Sequence, residues 1–211
     1  MHFDAATEFD RQVDTLLELG YPGLAGLPPA DFTALLAPLR AVAVTAGGDP
    51  ATPDRVPFVV VVPAKLAPVA ATVPLTSLRG RPGGVSRLLP DVERFVPTEH
   101  APAPAAEPYL LVDVDRGAEF RNWTPDAALA VITGRGRSPL TVEEGVALVT
   151  HFPATLVKNH CFSLAGSRAG DRRVPAVWIS NGAPVLGWCW AGNPHTWLGV
   201  ASAAGRSAGP A

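Results

Sequence analysis

The chain has 211 residues, 47% of them hydrophobic and 17% charged, enough apolar matter for one good-sized core or two small lobes sharing one. Seventeen Lys and Arg against nineteen Asp and Glu leave a formal charge of −2, with no block of like charge. Nucleic acid and acidic membrane surfaces are therefore not expected partners, and the longest apolar runs, such as residues 57–64, are far too short to span a bilayer. Twenty-three prolines and twenty glycines predict short elements, frequent turns and long surface loops.

Met1 to Glu8 has no basic stretch followed by an apolar run, so no signal peptide is expected and the protein is read as cytoplasmic. In that compartment Cys161 and Cys189 are expected as free thiols. Residues 5–20 carry Phe9, Val13, Leu16 and Leu17 at helical spacing, with Asp10, Arg11, Asp14 and Glu18 on the other face and Gly20 and Pro22 as stops. A second helix is predicted from residue 30 to about 39, with Leu35, Leu36 and Leu39 as its stripe. Pro57-Phe58-Val59-Val60-Val61-Val62 reads as a strand buried on both faces. Residues 75–90, rich in Arg and Gly, read as a loop, and the proline- and alanine-rich residues 97–108 as a polyproline-like connector.

Tyr109 to Val114 reads as a strand. Thr124 and Pro125 open a helix as N-cap and first residue. Thr141 and Glu144 form a capping box on a helix that ends near His151, and a helical turn is expected over 154–159. Asn181-Gly182 between two apolar runs predicts a hairpin in which Ser180 faces Ala183, Trp178 faces Val185 and Val174 faces Cys189. Alternation then places Val174, Trp178, Val185 and Cys189 on one face and Val177, Ile179, Leu186 and Trp188 on the other. Both faces are apolar, so the hairpin is expected between layers. The expected fold is α+β: N-terminal helices, a mixed or antiparallel sheet with a buried C-terminal hairpin, and helices packed on it. The expected organisation is an N-terminal lobe (1–96), the connector (97–108) and a C-terminal lobe (109–211) of one compact unit.

Between His151 and Trp197 lie three of the five histidines, both cysteines and four of the five tryptophans, a mix that a core alone does not need. His195, on the turn Asn193-Pro194-His195-Thr196-Trp197, is the candidate general acid/base. Ser167, Arg168, Arg172 and Arg173 are candidates to clamp a carboxylate or phosphate. Trp178, Trp188, Trp190, Asn193 and Trp197 are candidate pocket walls. The bland readings are packing for the indoles, a loop hydrogen bond for His195, and pairing of Asp171 with one arginine. His151, His160, Cys161, Cys189 and His195 fit no zinc spacing, and Asp113, Asp115 and Glu119 more often cap turns than hold magnesium. No metal and no cofactor is expected. Neither a phosphate loop nor a Gly-x-Ser-x-Gly elbow is present.

Tyr109 to Gly117, Arg137 to Thr141, Val149 to Pro153, Gly166 to Pro175 and Leu186 to Gly199 resemble an actinobacterial family catalogued only as a domain of unknown function. The resemblance covers nearly the whole chain. It implies kinship and cytoplasmic residence, and no activity. The residues leave two functional readings open. One is a small-molecule enzyme of isomerase, cyclase or lyase type, in which His195 moves a proton on an anionic or aromatic substrate. The other is a non-catalytic ligand- or protein-binding module with the tryptophan-rich end as its contact.

Overall fold

The computed structural model describes residues 3–104 and 106–209. Met1 and His2, part of the N-terminal stretch read above, lie outside them, as do Ala105 in the connector and Pro210 and Ala211. The main helices are α1 (Ala5–Glu18), α2 (Pro29–Leu36), α3 (Leu39–Ala46), α4 (Pro125–Gly134) and α5 (Val142–His151). The strands that build the two large sheets are β1 (Arg55–Val61), β2 (Gly84–Val85), β3 (Tyr109–Asp115), β4 (Ser138–Pro139), β5 (Cys161–Ser163), β6 (Arg173–Ser180), β7 (Ala183–Trp190), β8 (Leu198–Val200) and β9 (Ser202–Ala208). The α+β class expected from the sequence is the one observed.

The first sheet is antiparallel in the order β1-β3-β9-β4. Alternation along β1 and β3 explains the doubly apolar run. Phe58, Val60 and Leu110 face Phe9, Leu16, Phe32 and Leu36 of the N-terminal helices. Val59, Val61, Tyr109 and Leu111 face the central core that holds Leu148, Val149 and Phe162. The second sheet has the order β8-β5-β6-β7-β2, with β8/β5 and β7/β2 parallel and the rest antiparallel. Helix α5 fills the space between the sheets, and Val146 and Val149 reach Val177 and Leu186 of the hairpin. The layer order is helices, sheet, α5, sheet.

Local signals set the ends of these elements. The Asp4 carboxylate accepts from the Ala6 and Thr7 amides to start α1, and Gly20 follows its end at φ +80°. Thr141 and Glu144 form the expected capping box. Glu144, fully buried, also accepts from the Tyr109 hydroxyl at 2.9 Å and from Arg206 Nη2 at 2.7 Å, which fastens α5 to the first sheet.

Three expectations change. The single helix over residues 30–39 is two, α2 and α3, because Pro38 has no amide hydrogen and its ring disfavours a continuous helix. The Arg/Gly-rich loop contains order: Ser77–Leu78 pairs with Arg81–Pro82 around an Arg79-Gly80 turn, and β2 joins the hairpin. The helical turn over 154–159 is a 3₁₀ turn at Pro153–Thr155. Within the proline-rich stretch, Val96–Pro97 pairs with Ser167–Arg168 and the His100 carbonyl accepts from Ser138 Oγ at 2.7 Å. Among the described residues no helix is long and apolar enough to cross a membrane.

Candidate functional site

The hairpin β6/β7 has the register read from the sequence: Ser180↔Ala183, Trp178↔Val185 and Val174↔Cys189. Asn181 and Gly182 take φ values of +51° and +77°, the left-handed pair a two-residue hairpin turn requires. Trp178 lies across Gly187, where an added Cβ would come within 2.1 Å of the indole. Its ring meets Trp197 edge-on at 6.1 Å, and His195 sits 5.5 Å from Trp197. Trp188 and Trp190 lie on the opposite face, 4.6 Å apart, with Trp188 Nε1 donating to the Leu88 carbonyl at 2.7 Å. The pleat therefore divides the four indoles between two faces.

The loop before β6 is engaged from within. Ser167 is buried, and its Oγ accepts from the Val142 amide at 3.0 Å, adding a second cap to α5. Arg168 donates to the Ala165 and Ser167 carbonyls at 2.7 and 3.1 Å and stands 3.6 Å from the Asp126 carboxylate. Arg173 forms a two-toothed pair with Asp91 at 2.9 and 2.7 Å, and its Nε donates to Asp171 at 2.9 Å. These bonds to Arg173 hold both carboxyls below their ordinary range. The guanidinium also lies over the Phe95 and Trp188 rings. Arg172 alone of the three is exposed with no hydrogen-bond or ion-pair partner among the described residues; its Nη2 lies close to Gly192.

The turn after the hairpin begins beside this loop, where the Ala191 amide donates to the Arg172 carbonyl at 2.9 Å. Asn193 is exposed and its amide closes the turn on Trp190. By His195 the chain has crossed to Asn122, whose amide donates to the His195 carbonyl at 2.9 Å. His195 Nε2 is buried without a partner among the described residues, and burial pushes the imidazole pKa down. No carboxylate contacts the ring among the described residues, and His195 lines none of the cavities described below.

The other ligand-type residues are also engaged structurally. His151 is buried, with Nε2 3.2 Å from the Val60 carbonyl, and burial holds its pKa down at about 3. His160 Nε2 faces Arg121 Nη1 at 3.1 Å. Cys161 and Cys189 are buried free thiols, both pushed up in pKa by burial. Asp113 pairs with Arg55 and Arg137, Asp115 caps the Gly117 amide, and Glu119 pairs with Arg135. Among the described residues no cluster of three metal-ligating side chains occurs.

One feature escaped the sequence reading. At the turn end of the hairpin, a groove of about 1340 Å³ opens between three segments: the short ladder around Arg79-Gly80, the Asn181-Gly182 turn with Ile179, and residues 153–158. Its apolar lining includes Leu78, Leu156, Val157 and Ile179, and its charged lining is Arg79, Arg81 and Lys158. Arg81 Nη1 donates to the Asn181 carbonyl at 2.7 Å and ties two of the segments together. Arg116, buried and paired with Asp54, donates to the Thr155 and His160 carbonyls at 3.2 and 3.1 Å and fastens the third. The only local signal was the run Arg79-Gly80-Arg81; nothing there pointed to Lys158, more than seventy positions on.

The fold and this surface define an α+β domain with a groove, apolar inside and cationic at its margin, at the turn of a central hairpin. The chain belongs to DUF5701, a family of unknown function whose model matches residues 15–209. No curated protein and no solved structure gives a significant match to it.

Proposed function

We propose that the protein is a non-catalytic binding module and that its ligand seats in the groove at the hairpin turn. The observation that carries this reading is the contrast between engaged and unengaged cations. Arg168 and Arg173, two of the three arginines of the candidate clamp, are held by protein carbonyls and carboxylates. Arg79 and Lys158, on the groove margin, have no hydrogen-bond or ion-pair partner among the described residues. Apolar lining with a few polar groups at its edge is the usual make-up of a small-molecule site.

A neutral apolar fluorophore, N-phenyl-1-naphthylamine, tests the location. Ala154 is exposed and lines the groove, so Ala154→Trp narrows it along the 153–158 wall and leaves the core intact. The fluorophore brightens equally with the unaltered protein and with His195→Ala, and its affinity is changed by Ala154→Trp. An unchanged affinity with Ala154→Trp, or loss with His195→Ala in a folded protein, removes the reading.

One observation favours the catalytic alternative. The unpartnered Nε2 of His195 and its lowered pKa keep a neutral base beside Trp197 near pH 7. In that reading His195 takes a proton from a substrate held by Arg172 in an isomerisation, cyclisation or elimination. It requires that His195→Ala abolish turnover of an identified substrate while the fold and its stability are kept.

A further inference from the structure

We infer that the groove takes an amphipathic anion: an apolar chain or ring system ending in a carboxylate or a similar singly charged head. The inference rests on the groove being the binding site, and adds what binds there. Three observations converge on it.

The first is charge. Every ionisable residue lining the groove is cationic, and no acidic residue lines it. Arg81 is already tied to the Asn181 carbonyl, so Arg79 and Lys158 remain to meet a ligand, one from each of two facing segments. A cation-rimmed apolar surface favours an anionic head and penalises a cationic one, because the wrong sign leaves like charges side by side.

The second is the floor. Val157 is 37% exposed although it is aliphatic, and Leu78 and Ile179 are half-buried beside it. Apolar surface of this kind gains by being covered, and each methylene of a ligand chain laid on it adds to the affinity. The volume exceeds the roughly 300–1,000 Å³ typical of compact small-molecule sites, which suits an extended body.

The third is rigidity. Arg79 takes φ +53° in a two-residue turn closed by the Ser77–Leu78 and Arg81–Pro82 ladder. The Arg81–Asn181 and Arg116–Thr155 hydrogen bonds fix the neighbouring segments. Walls already held in place need little ordering when a ligand arrives.

Isothermal titration with sodium decanoate and with decylammonium chloride, which share one chain and differ in charge, tests the inference. The doubly substituted Arg79→Glu/Lys158→Glu protein is the control, and both positions are exposed enough for the fold to survive. Decanoate binds one to one, about tenfold or more tighter than decylammonium, and the double substitution reverses the preference. If the two probes bind the unaltered protein equally while the neutral naphthylamine still binds in the groove, the groove reading stands and the anion inference is overturned. An unchanged decanoate affinity in the double variant overturns it as well. Failure of the naphthylamine itself removes the groove reading beneath both.

Discussion

The Gln12 side chain closes on β1 as a strand would: its Oε1 accepts from the Val60 amide at 2.8 Å and its Nε2 donates to the Phe58 carbonyl at 3.1 Å. β1 is an edge strand, and Gln12 is fully buried. One carboxamide from α1 thus satisfies two backbone groups that no neighbouring strand reaches, and blunts the edge against pairing with another chain. Replacing it with leucine keeps the volume and strands both groups. Gln12→Leu is expected to lower stability by about 2–4 kcal/mol, since each unpaired buried group costs roughly 1–3 kcal/mol. Urea denaturation checks this. A change below about 0.5 kcal/mol would mean that the edge finds other partners.

Two residues along the same edge, the Val60 carbonyl faces His151 Nε2. Burial, and then the nearby Arg11 charge, hold the His151 pKa down at about 3 from an ordinary 6.5. Glu143, which lines the same small cavity as His151 and Tyr21, is pushed up by burial. The sign for His151 follows from proton counts. Between pH 6.5 and 3 the unfolded chain carries the imidazolium and the folded protein does not, so stability falls as pH falls through that window. Glu143 acts in the opposite sense above its ordinary pKa, because there the folded state holds the proton longer. For His151 alone the slope reaches about 1.4 kcal/mol per pH unit. His151→Gln retains a donor for Val60 and removes the titration. The variant should therefore lose less stability than the unaltered protein between pH 7 and 5, by about 2 kcal/mol at most. Parallel losses in chemical denaturation at the two pH values would contradict the assignment.

How far the sequence could be read depends on whether a signal is local. The Asn181-Gly182 pair gave the hairpin register to the residue, because a two-residue turn fixes which side chains face each other. Thr141 and Glu144, three apart, marked the start of α5 for the same reason. Leu35, Leu36 and Leu39 have the spacing of one continuous helix, which Pro38 interrupts. The pairings that engage the candidate and groove arginines from elsewhere in the chain are long-range. Arg173 meets Asp91 across 82 positions, and Arg81 meets Asn181 across 100. Neither pairing leaves a periodicity or a motif. A cluster of arginines looks the same in sequence whether its guanidiniums face solvent or are held by carboxylates from another segment. The division of the tryptophans between two faces follows from the pleat and argues against one indole-walled pocket.

The central claim is where a ligand binds, and an amide chemical-shift map of the ¹⁵N-labelled protein titrated with N-phenyl-1-naphthylamine tests it most directly. The largest changes are predicted for residues 78–81, 153–158 and 179–182, around the groove, with residues 167–173 and 193–197 little altered. Changes centred on His195 and the Ser167–Arg173 loop, with the groove residues unmoved, would contradict it.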